Sequence, residues 1–295
     1  MLDEIKIPEN KQTKLGSALN VLNTMCDVRT SEVDLPILRT SCEITPLTGS
    51  EDLTLKTLRA SGSTFVRNFN KLIYDHTKFK NIEFESFEDF QNNLTPPDKS
   101  MLVFGLLDST FKTLPEKVIT CPHCKKSDTY HFHPSDIVHS DTFTKEWTHP
   151  MDYTVSSEVS PGVTLFYGMP TEKDKLSIID SKSNGQLRKN LEDEDDILNN
   201  VDVVGMYIKK IEIRKGKEVI TLTDKKEEII PLLNDCPFEL KLKIIEDETI
   251  SQFTDYVPNY YLNIVCKDGL CAKEFKWDNI NPENDFFRKA LSIYN

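Results

Sequence analysis

Residues 121–124 read Cys-Pro-His-Cys, and residues 266–271 read Cys-Lys-Asp-Gly-Leu-Cys. The two thiols of each pair are separated by two or four residues, a spacing that lets both sulfurs face one ion. A structural zinc ion takes four such ligands at tetrahedral angles, so the two pairs together supply one complete set. We therefore predict a structural zinc site at Cys121, Cys124, Cys266 and Cys271. If the pairs meet, residues 125–265 form an insertion that is fastened at its root by metal.

The segments beside both cysteine pairs have strand-like composition. Residues 118–120 are Val-Ile-Thr and lead into the first pair, and residues 261–265 are Tyr-Leu-Asn-Ile-Val and lead into the second. Phe275 and Trp277 alternate after the second pair and indicate one more strand. Two segments of this kind, each with a strand beside a cysteine pair, pack together in a zinc ribbon. Because a four-thiolate site has no open position for water or substrate, the zinc is expected to stabilise the fold.

Helix signals dominate the region between residues 49 and 117. Ser63, Ser86 and Thr95 are N-cap candidates, and Thr95 is followed by proline and then by an acid in the first turn. Apolar side chains recur at helical spacing after each of these N-caps: Phe65, Phe69, Leu72, Ile73, Phe87, Phe90, Leu94, Met101, Leu102, Leu106 and Leu107.

We predict an α+β protein in four parts. They are an N-terminal arm and extended segment at 1–48, a helical unit at 49–117, a zinc-ribbon-like module at 118–135 plus 258–287, and an inserted mixed α/β domain at 136–257. Within the inserted domain the predicted elements are strands at 163–167 and 218–223 and a helix at 224–234. Residues 237–246 fit a strand or a helix equally. The acidic run at 192–196 is typical of a solvated loop.

Composition restricts the class of protein. Asp and Glu number 48 against 36 Lys and Arg, and the net charge of −12 argues against a nucleic-acid partner. No run of 18 apolar residues predicts a membrane span, and the charged start of the chain does not resemble a signal peptide. We therefore expect a reducing compartment, in which Cys26, Cys42 and Cys236 are ordinary small residues of the fold.

The sequence contains no strong catalytic motif. His131, His133, His139 and His149 can in principle form a catalytic metal site, but they lack the paired spacing of helical zinc peptidases. His123 lies inside the first cysteine pair, where a side chain normally points outward. No nucleophile elbow, phosphate loop or dinucleotide fingerprint is present. We predict that the protein is not an enzyme and has no catalytic or cofactor-binding residues beyond the metal ligands.

The order of motifs resembles a known family. Residues 42–52, Cys-Glu-Ile-Thr-Pro-Leu-Thr-Gly-Ser-Glu-Asp, are followed by a helical stretch, by Leu-Thr-Pro-Pro-Asp at 94–98 and by the first cysteine pair. A strand ending in proline at 162–170, the second pair and Asn-Asp-Phe-Phe at 284–287 complete the series. Across roughly residues 33–290 this order is similar to the baseplate hub subunit family of T-even-type contractile-tailed bacteriophages. The four residues within the second pair, where the family has two, and the segments 1–32 and 184–200 depart from its pattern.

The resemblance implies a structural or assembly protein of the tail baseplate hub, without enzymatic activity. Its partners would be other hub proteins and the tape-measure protein, and its location the virion, with host cytoplasm during assembly. We expect the docking surfaces to be the N-terminal arm and aromatic residues near Tyr260, Phe286 and Phe287.

Two alternatives come from other classes of protein. A zinc-ribbon regulator that binds nucleic acid or a polymerase is supported by a basic cluster, which a solvated strand edge also explains: Lys209, Lys210, Arg214, Lys215 and Lys217. A metal hydrolase that uses His131 and His133 is the other alternative.

Overall fold

The computed structural model describes residues 29–49, 51, 63–139, 147–183, 200–223 and 225–292. Within these residues the protein is a mixed α+β structure, as predicted. None of the described helices combines the length and the apolar character that crossing a membrane requires. Most of the predicted N-terminal arm, at 1–28, and the acidic run at 192–196 lie outside the described residues.

A small antiparallel sheet begins the first half of the fold. Its strands are β1 (Ser31–Leu35), β2 (Thr40–Ile44) and β3 (Thr77–Phe79), in the order β1-β2-β3. Side chains of β1 alternate between buried and exposed, so that Val33 and Leu35 face the core. This periodicity of two gives the sheet one apolar face, which packs on the helices that follow.

Three helices cover that face. They are α1 (Ser63–His76), α2 (Phe87–Asn93) and α3 (Pro96–Thr110). The caps predicted for the last two are confirmed: Ser86 accepts a hydrogen bond from the backbone N–H of Asp89, and Thr95 accepts one from that of Asp98. Helix α3 is buried on nearly every side, which makes it the central element of this half.

The two cysteine pairs lie in the turns of two β-hairpins. Strand β4 (Lys117–Thr120) pairs with β5 (Ser127–Tyr130) around the first pair. Strand β11 (Tyr260–Val265) pairs with β12 (Glu274–Trp277) around the second. On its other side β11 pairs with the short strand β6 (Ile137–His139), which lies just inside the predicted inserted domain. Helix α9 (Pro282–Ser292) packs beside α3 and completes this half.

A second core is built mostly from residues between 147 and 256. Strands β7 (Thr154–Ser160), β8 (Val163–Gly168), β9 (Ile208–Lys215) and β10 (Glu218–Thr223) form an antiparallel sheet in the order β10-β9-β8-β7. Its helices are α4 (Glu172–Ser183), α5 (Asn200–Tyr207), α6 (Lys226–Asp235), α7 (Phe238–Ile245) and α8 (Ser251–Thr254). The undecided segment at 237–246 is thus the helix α7. Ile37, from the turn after β1, also joins this core.

A buried ionic contact joins the two cores. Glu172, at the start of α4, accepts hydrogen bonds of 2.9 Å from Lys99 Nζ of α3 and from Asn70 Nδ2 of α1. All three side chains are buried. Burial by itself would raise the pKa of Glu172, but the Lys99 ammonium outweighs it and holds that pKa below its usual range. Because a buried charge must keep its partner, this contact fixes how the two cores meet.

Two expectations about surfaces are wrong. Tyr260 and Phe286 were expected at a docking surface, but they are 4% and 0% exposed and belong to the first core. Phe287 is half-buried against Phe65 and Phe69 of α1. Strand β9, which carries the predicted basic cluster, is an interior strand of its sheet and not an edge. In each case long-range packing, which local composition does not report, decides the exposure.

The buried Asp98 makes stability depend on pH. Its carboxylate accepts hydrogen bonds from the Ile37 N–H at 2.9 Å and from the Thr95 hydroxyl at 2.7 Å, and burial raises its pKa from 3.8 to about 6. The folded state therefore binds this proton more tightly, so stability falls as pH rises from about 4 to about 6. At about 1.4 kcal/mol per pH unit, the loss is about 3 kcal/mol.

We expect Asp98→Asn to abolish that fall, because the amide does not titrate: its oxygen can still accept from the Ile37 N–H, and its NH2 group can donate to the Thr95 hydroxyl. The measurement is urea unfolding of both proteins at several pH values between 4 and 7. Asp89→Asn is the matched control, since Asp89 occupies the same position in the first turn of α2 outside the deep core. Parallel pH profiles for the wild type and Asp98→Asn would contradict the prediction.

Candidate metal centre

The four predicted cysteines lie close together at the tips of the two hairpins. Their sulfur atoms are all within 4.8 Å of one another. Cys121 Sγ lies 3.9 Å from Cys271 Sγ, and Cys124 Sγ lies 3.6 Å from Cys266 Sγ. Four sulfurs held about 2.3 Å from a tetrahedral metal would be about 3.8 Å apart. The spacing of the thiols therefore fits a single metal ion.

The backbone builds both cysteine turns in the same way. In the first, the N–H of Cys121 donates to the Lys126 carbonyl at 2.9 Å; in the second, the N–H of Cys266 donates to the Lys273 carbonyl at 3.0 Å. The residue directly after each second cysteine has a positive φ, 63° at Lys125 and 44° at Ala272. This left-handed residue turns the chain back into the hairpin. The two extra residues of the second pair are thus accommodated inside the turn.

Side chains tie the two hairpins to each other. Lys126 of the first turn forms an ion pair of 2.8 Å with Asp268 of the second. Lys267 Nζ lies 4.7 Å from the centre of the Tyr130 ring and also donates to the Thr129 carbonyl. The Tyr130 hydroxyl in turn donates to the Val265 carbonyl at 3.4 Å. These contacts hold the two hairpins side by side. Protein contacts therefore help to bring the four sulfurs together, in addition to any bound metal.

The pKa values of two of the thiols are shifted in opposite directions. Burial raises the pKa of Cys266, whereas at Cys121 the effect of burial is outweighed by hydrogen bonds from the backbone N–H groups of Cys124 and His123, which lower its pKa. Four thiolates this close would repel one another strongly. A bound divalent cation compensates that charge, which is why metal binding releases protons from such sites.

The other candidate ligands are not brought together. His123 is exposed and its ring lies 6.4 Å from that of Phe275. His131 and His133 follow β5 and are not in a strand; the first lies 3.3 Å from Glu116, and the second contacts the Lys112 carbonyl. Among the residues that the structure describes, the four cysteines are the one group of three or more His, Cys, Asp or Glu side chains that can hold a metal.

The remaining predicted residues are also placed, apart from Cys26, which lies outside the described ranges. Cys42 is buried in the first core and Cys236 is half-buried at the end of α6, both as free thiols. Three members of the basic cluster are paired within the protein: Lys209 with Asp174 at 2.7 Å, and Lys210 and Arg214 with Glu212 at 2.5 and 3.0 Å. Much of the positive charge of this cluster is therefore neutralised internally.

Sequence reasoning missed β5 and the residues that brace the site. Residues 127–130 are Ser-Asp-Thr-Tyr, a polar segment without an apolar alternation, and they become a strand because β4 pairs with them. The available signal was the short distance between Cys124 and Tyr130, which suits the return strand of a hairpin. Lys126, Lys267 and Asp268 carry no such signal, because their roles depend on the two hairpins being adjacent.

Replacing Ala272 with glycine is expected to stabilise the second cysteine turn. An alanine with φ of 44° is in a region that favours glycine, so the change should raise the free energy of unfolding by about 0.5–1 kcal/mol. Thermal and urea unfolding would measure the change. Ala290→Gly, within the helix α9, is the control and is expected to destabilise the protein by a similar amount. A destabilised Ala272→Gly protein would refute the argument.

Comparisons with known proteins do not assign the chain to a family. No family model matches it, and neither a characterised protein nor a solved structure matches it.

Proposed function

We propose that the four cysteines bind one structural zinc ion, and that the two hairpins form a zinc-ribbon-like module. The support is the set of four sulfur donors at mutual distances that suit a tetrahedron. Soft thiolates select zinc or iron over magnesium and calcium, and a closed four-thiolate set is typical of structural zinc. When bound, the ion supplies cross-linking between two chain segments, and no reaction is proposed at it.

Two β-hairpin turns supply the ligands of this site, and neighbouring residues hold the turns together. Cys121 and Cys124 come from the β4–β5 turn, and Cys266 and Cys271 from the β11–β12 turn. The ion pair between Lys126 and Asp268 keeps the turns adjacent. Backbone N–H groups directed at Cys121 stabilise a thiolate there, so this sulfur is prepared for a cation.

We further propose that the chain is a structural or assembly protein of a phage tail baseplate hub, which acts through contacts with other hub proteins and the tape-measure protein. The observation that carries this proposal is the ordered series of motifs, at 42–52, 94–98, 121–124, 162–170 and 284–287. A rigid module braced by metal suits a docking role better than a catalytic one. Its location would be the virion and, during assembly, the host cytoplasm.

The test is the protein content of particles and assembly intermediates. Mass spectrometry of purified virions and of tail-assembly intermediates is expected to detect this chain together with other hub proteins. Its absence from both would overturn the assembly proposal while leaving the zinc proposal intact. Metal analysis tests the zinc separately, and iron in place of zinc would be recognised by its visible absorption.

The regulatory alternative receives less support from the geometry. Its main evidence was the basic cluster on β9 and the following turn, but Lys209, Lys210 and Arg214 face internal carboxylates. A nucleic-acid partner would have to displace Asp174 and Glu212 in addition to overcoming the net charge of −12. We expect no salt-dependent binding of a random DNA duplex in a fluorescence anisotropy titration.

A further inference from the structure

Strand β1 has an open edge along a groove. It pairs with β2 on one side, and no described strand pairs with its other side. Strand β1 and the turn after it line a groove of about 560 Å³, the β1 groove, whose walls include residues 32–36, Arg39, Met101, Phe104 and His139. The Arg39 guanidinium donates to the Trp147 carbonyl and is thus already engaged within the protein. The N–H and C=O groups along such an edge form a template for another strand.

The β1 groove lies between strand β1, helix α3 and the end of strand β6. Its floor is helix α3: the position next to β1 is Gly105, where a Cβ atom would lie 3.0 Å from Val33 Cγ1. The adjacent residue, Phe104, has its ring 5.8 Å from that of His139, at the end of β6. Strand β6 is itself the edge of the third sheet. A strand added to β1 would lie about 4.8 Å from it.

The side chains of the β1 groove specify what kind of strand fits. On the inner side, the groove meets the apolar side chains of Met101 and Phe104. On the outer side, β1 exposes Glu32 and Asp34. Glu32 contacts Lys80, but Asp34 accepts a hydrogen bond from the Ser41 hydroxyl and forms no ion pair with any residue that the structure describes. An added strand would therefore place apolar side chains inward and would gain from basic side chains outward.

We propose that the β1 groove binds an extended segment of a partner protein in which apolar residues alternate with Lys or Arg, and that this segment adds to β1 as a fourth strand. The inference deepens the proposed assembly role, on which it rests for the existence of a protein partner. Backbone hydrogen bonds to β1 supply affinity, and the acidic outer row supplies the choice of partner. The far side of the added strand would lie toward His139 and β6.

The test uses the full chain and a labelled peptide, Lys-Val-Lys-Val-Lys-Val-Lys, in an anisotropy titration. We expect saturable binding, and no binding of the acidic analogue Glu-Val-Glu-Val-Glu-Val-Glu. Hydrogen exchange is expected to slow when the basic peptide is bound at those backbone amides of 31–35 that point away from β2, because a new strand covers them. A peptide that is N-methylated at alternate residues cannot form the ladder and should lose binding.

Two charge reversals locate the site. Asp34→Lys is expected to weaken peptide binding at least about tenfold, because like charges then lie side by side across the strands. Glu43→Lys is the matched control: Glu43 lies on the central strand β2, directly opposite Glu32, and does not line the groove. It should change binding less than about twofold. Thermal unfolding of both variants separates lost binding from lost folding.

Several results would overturn the proposal. They are equal binding of the acidic peptide, unchanged binding by Asp34→Lys, and protection of amides elsewhere than 31–35. Amides of β1 that are already protected in the free protein, without peptide binding, would mean that the chain itself or a second copy fills the groove. None of these results changes what mass spectrometry detects in virions and tail-assembly intermediates, so the failure of this proposal can be distinguished from the failure of the assembly role.

Discussion

Replacing Cys121 with serine is expected to remove zinc from the protein and to unfold the region around the two hairpins. Structural zinc contributes about 10–16 kcal/mol of apparent binding free energy in small zinc modules, as much as the whole stability of a typical domain. Three remaining thiols and a hydroxyl bind zinc far more weakly. We therefore expect metal analysis to show a loss of about one zinc ion per chain, with a large fall in thermal stability.

The loss of structure in this variant is expected to be greater in the first core than in the second. Lys117, which begins β4, forms an ion pair with the buried Asp285 of α9, and Tyr130 of β5 packs in the first core. Backbone amides at 117–130 and 260–277 should therefore exchange faster in the variant. The amides of β9 and β10 belong to the second core and should retain more of their protection.

Cys236→Ser is the matched control for Cys121→Ser. Cys236 is a half-buried free thiol that packs at the margin of the second core and donates to the Leu233 carbonyl, and a serine hydroxyl can make the same hydrogen bond. This variant should keep its zinc and most of its stability. Full zinc content in Cys121→Ser, or a zinc-free wild type with unchanged unfolding, would show that the four thiols do not form a structural metal site.

Replacing Lys226 with methionine is expected to destabilise the second core by about 3–5 kcal/mol. The Lys226 side chain is 2% exposed, and its ammonium donates to the carbonyls of Gly205, Met206 and Ile208 at 3.2, 2.9 and 2.5 Å. These carbonyls belong to the C-terminal end of α5 and the start of β9, where the helix leaves its last C=O groups without partners. Lysine therefore caps α5 from inside the protein.

The same lysine compensates a buried acid. Asp174 lies 3.6 Å from the Lys226 ammonium and 2.7 Å from that of Lys209. Burial alone would raise the pKa of Asp174, but the two cations, Lys226 first, hold it below its usual range. Methionine fills the space of the lysine stem without the charge. It removes a charged donor from three carbonyls and leaves the acid with one cation.

The measurement is the shift of the urea midpoint, with Lys225→Met as the control. Lys225 is the adjacent residue, but it is exposed and pairs with Glu228 at the surface, so its loss should change stability by less than about 1 kcal/mol. The destabilisation of the double variant Lys226→Met with Asp174→Asn should be smaller than the sum of the two single effects. The reason is that Asp174→Asn removes the buried carboxylate that has lost the Lys226 cation. Equal effects at positions 225 and 226 would show that the buried contacts contribute little.

Local interactions explain which elements the sequence predicts correctly. The caps at Ser86 and Thr95, the stripe of α1 and the strand at 218–223 depend on residues within a few positions of one another. Residues 237–246 remained undecided because so short an apolar pattern fits both periods, and helix α7 forms there by packing against the second core. Segment 127–130 was missed because its pairing with β4, and not its own composition, makes it a strand.

The sequence by itself determined that the four cysteines can serve as one metal site, since ligand chemistry and short spacing are properties of the residues. Only the tertiary structure decided the burial of charge. Lys99 and Glu172 form a hydrogen bond although they are 73 positions apart in the sequence, and Lys226 donates to carbonyls about 20 positions away. A charged residue in a polar segment has the composition of a surface residue. Its burial depends on a distant partner, which becomes adjacent only when the two cores meet.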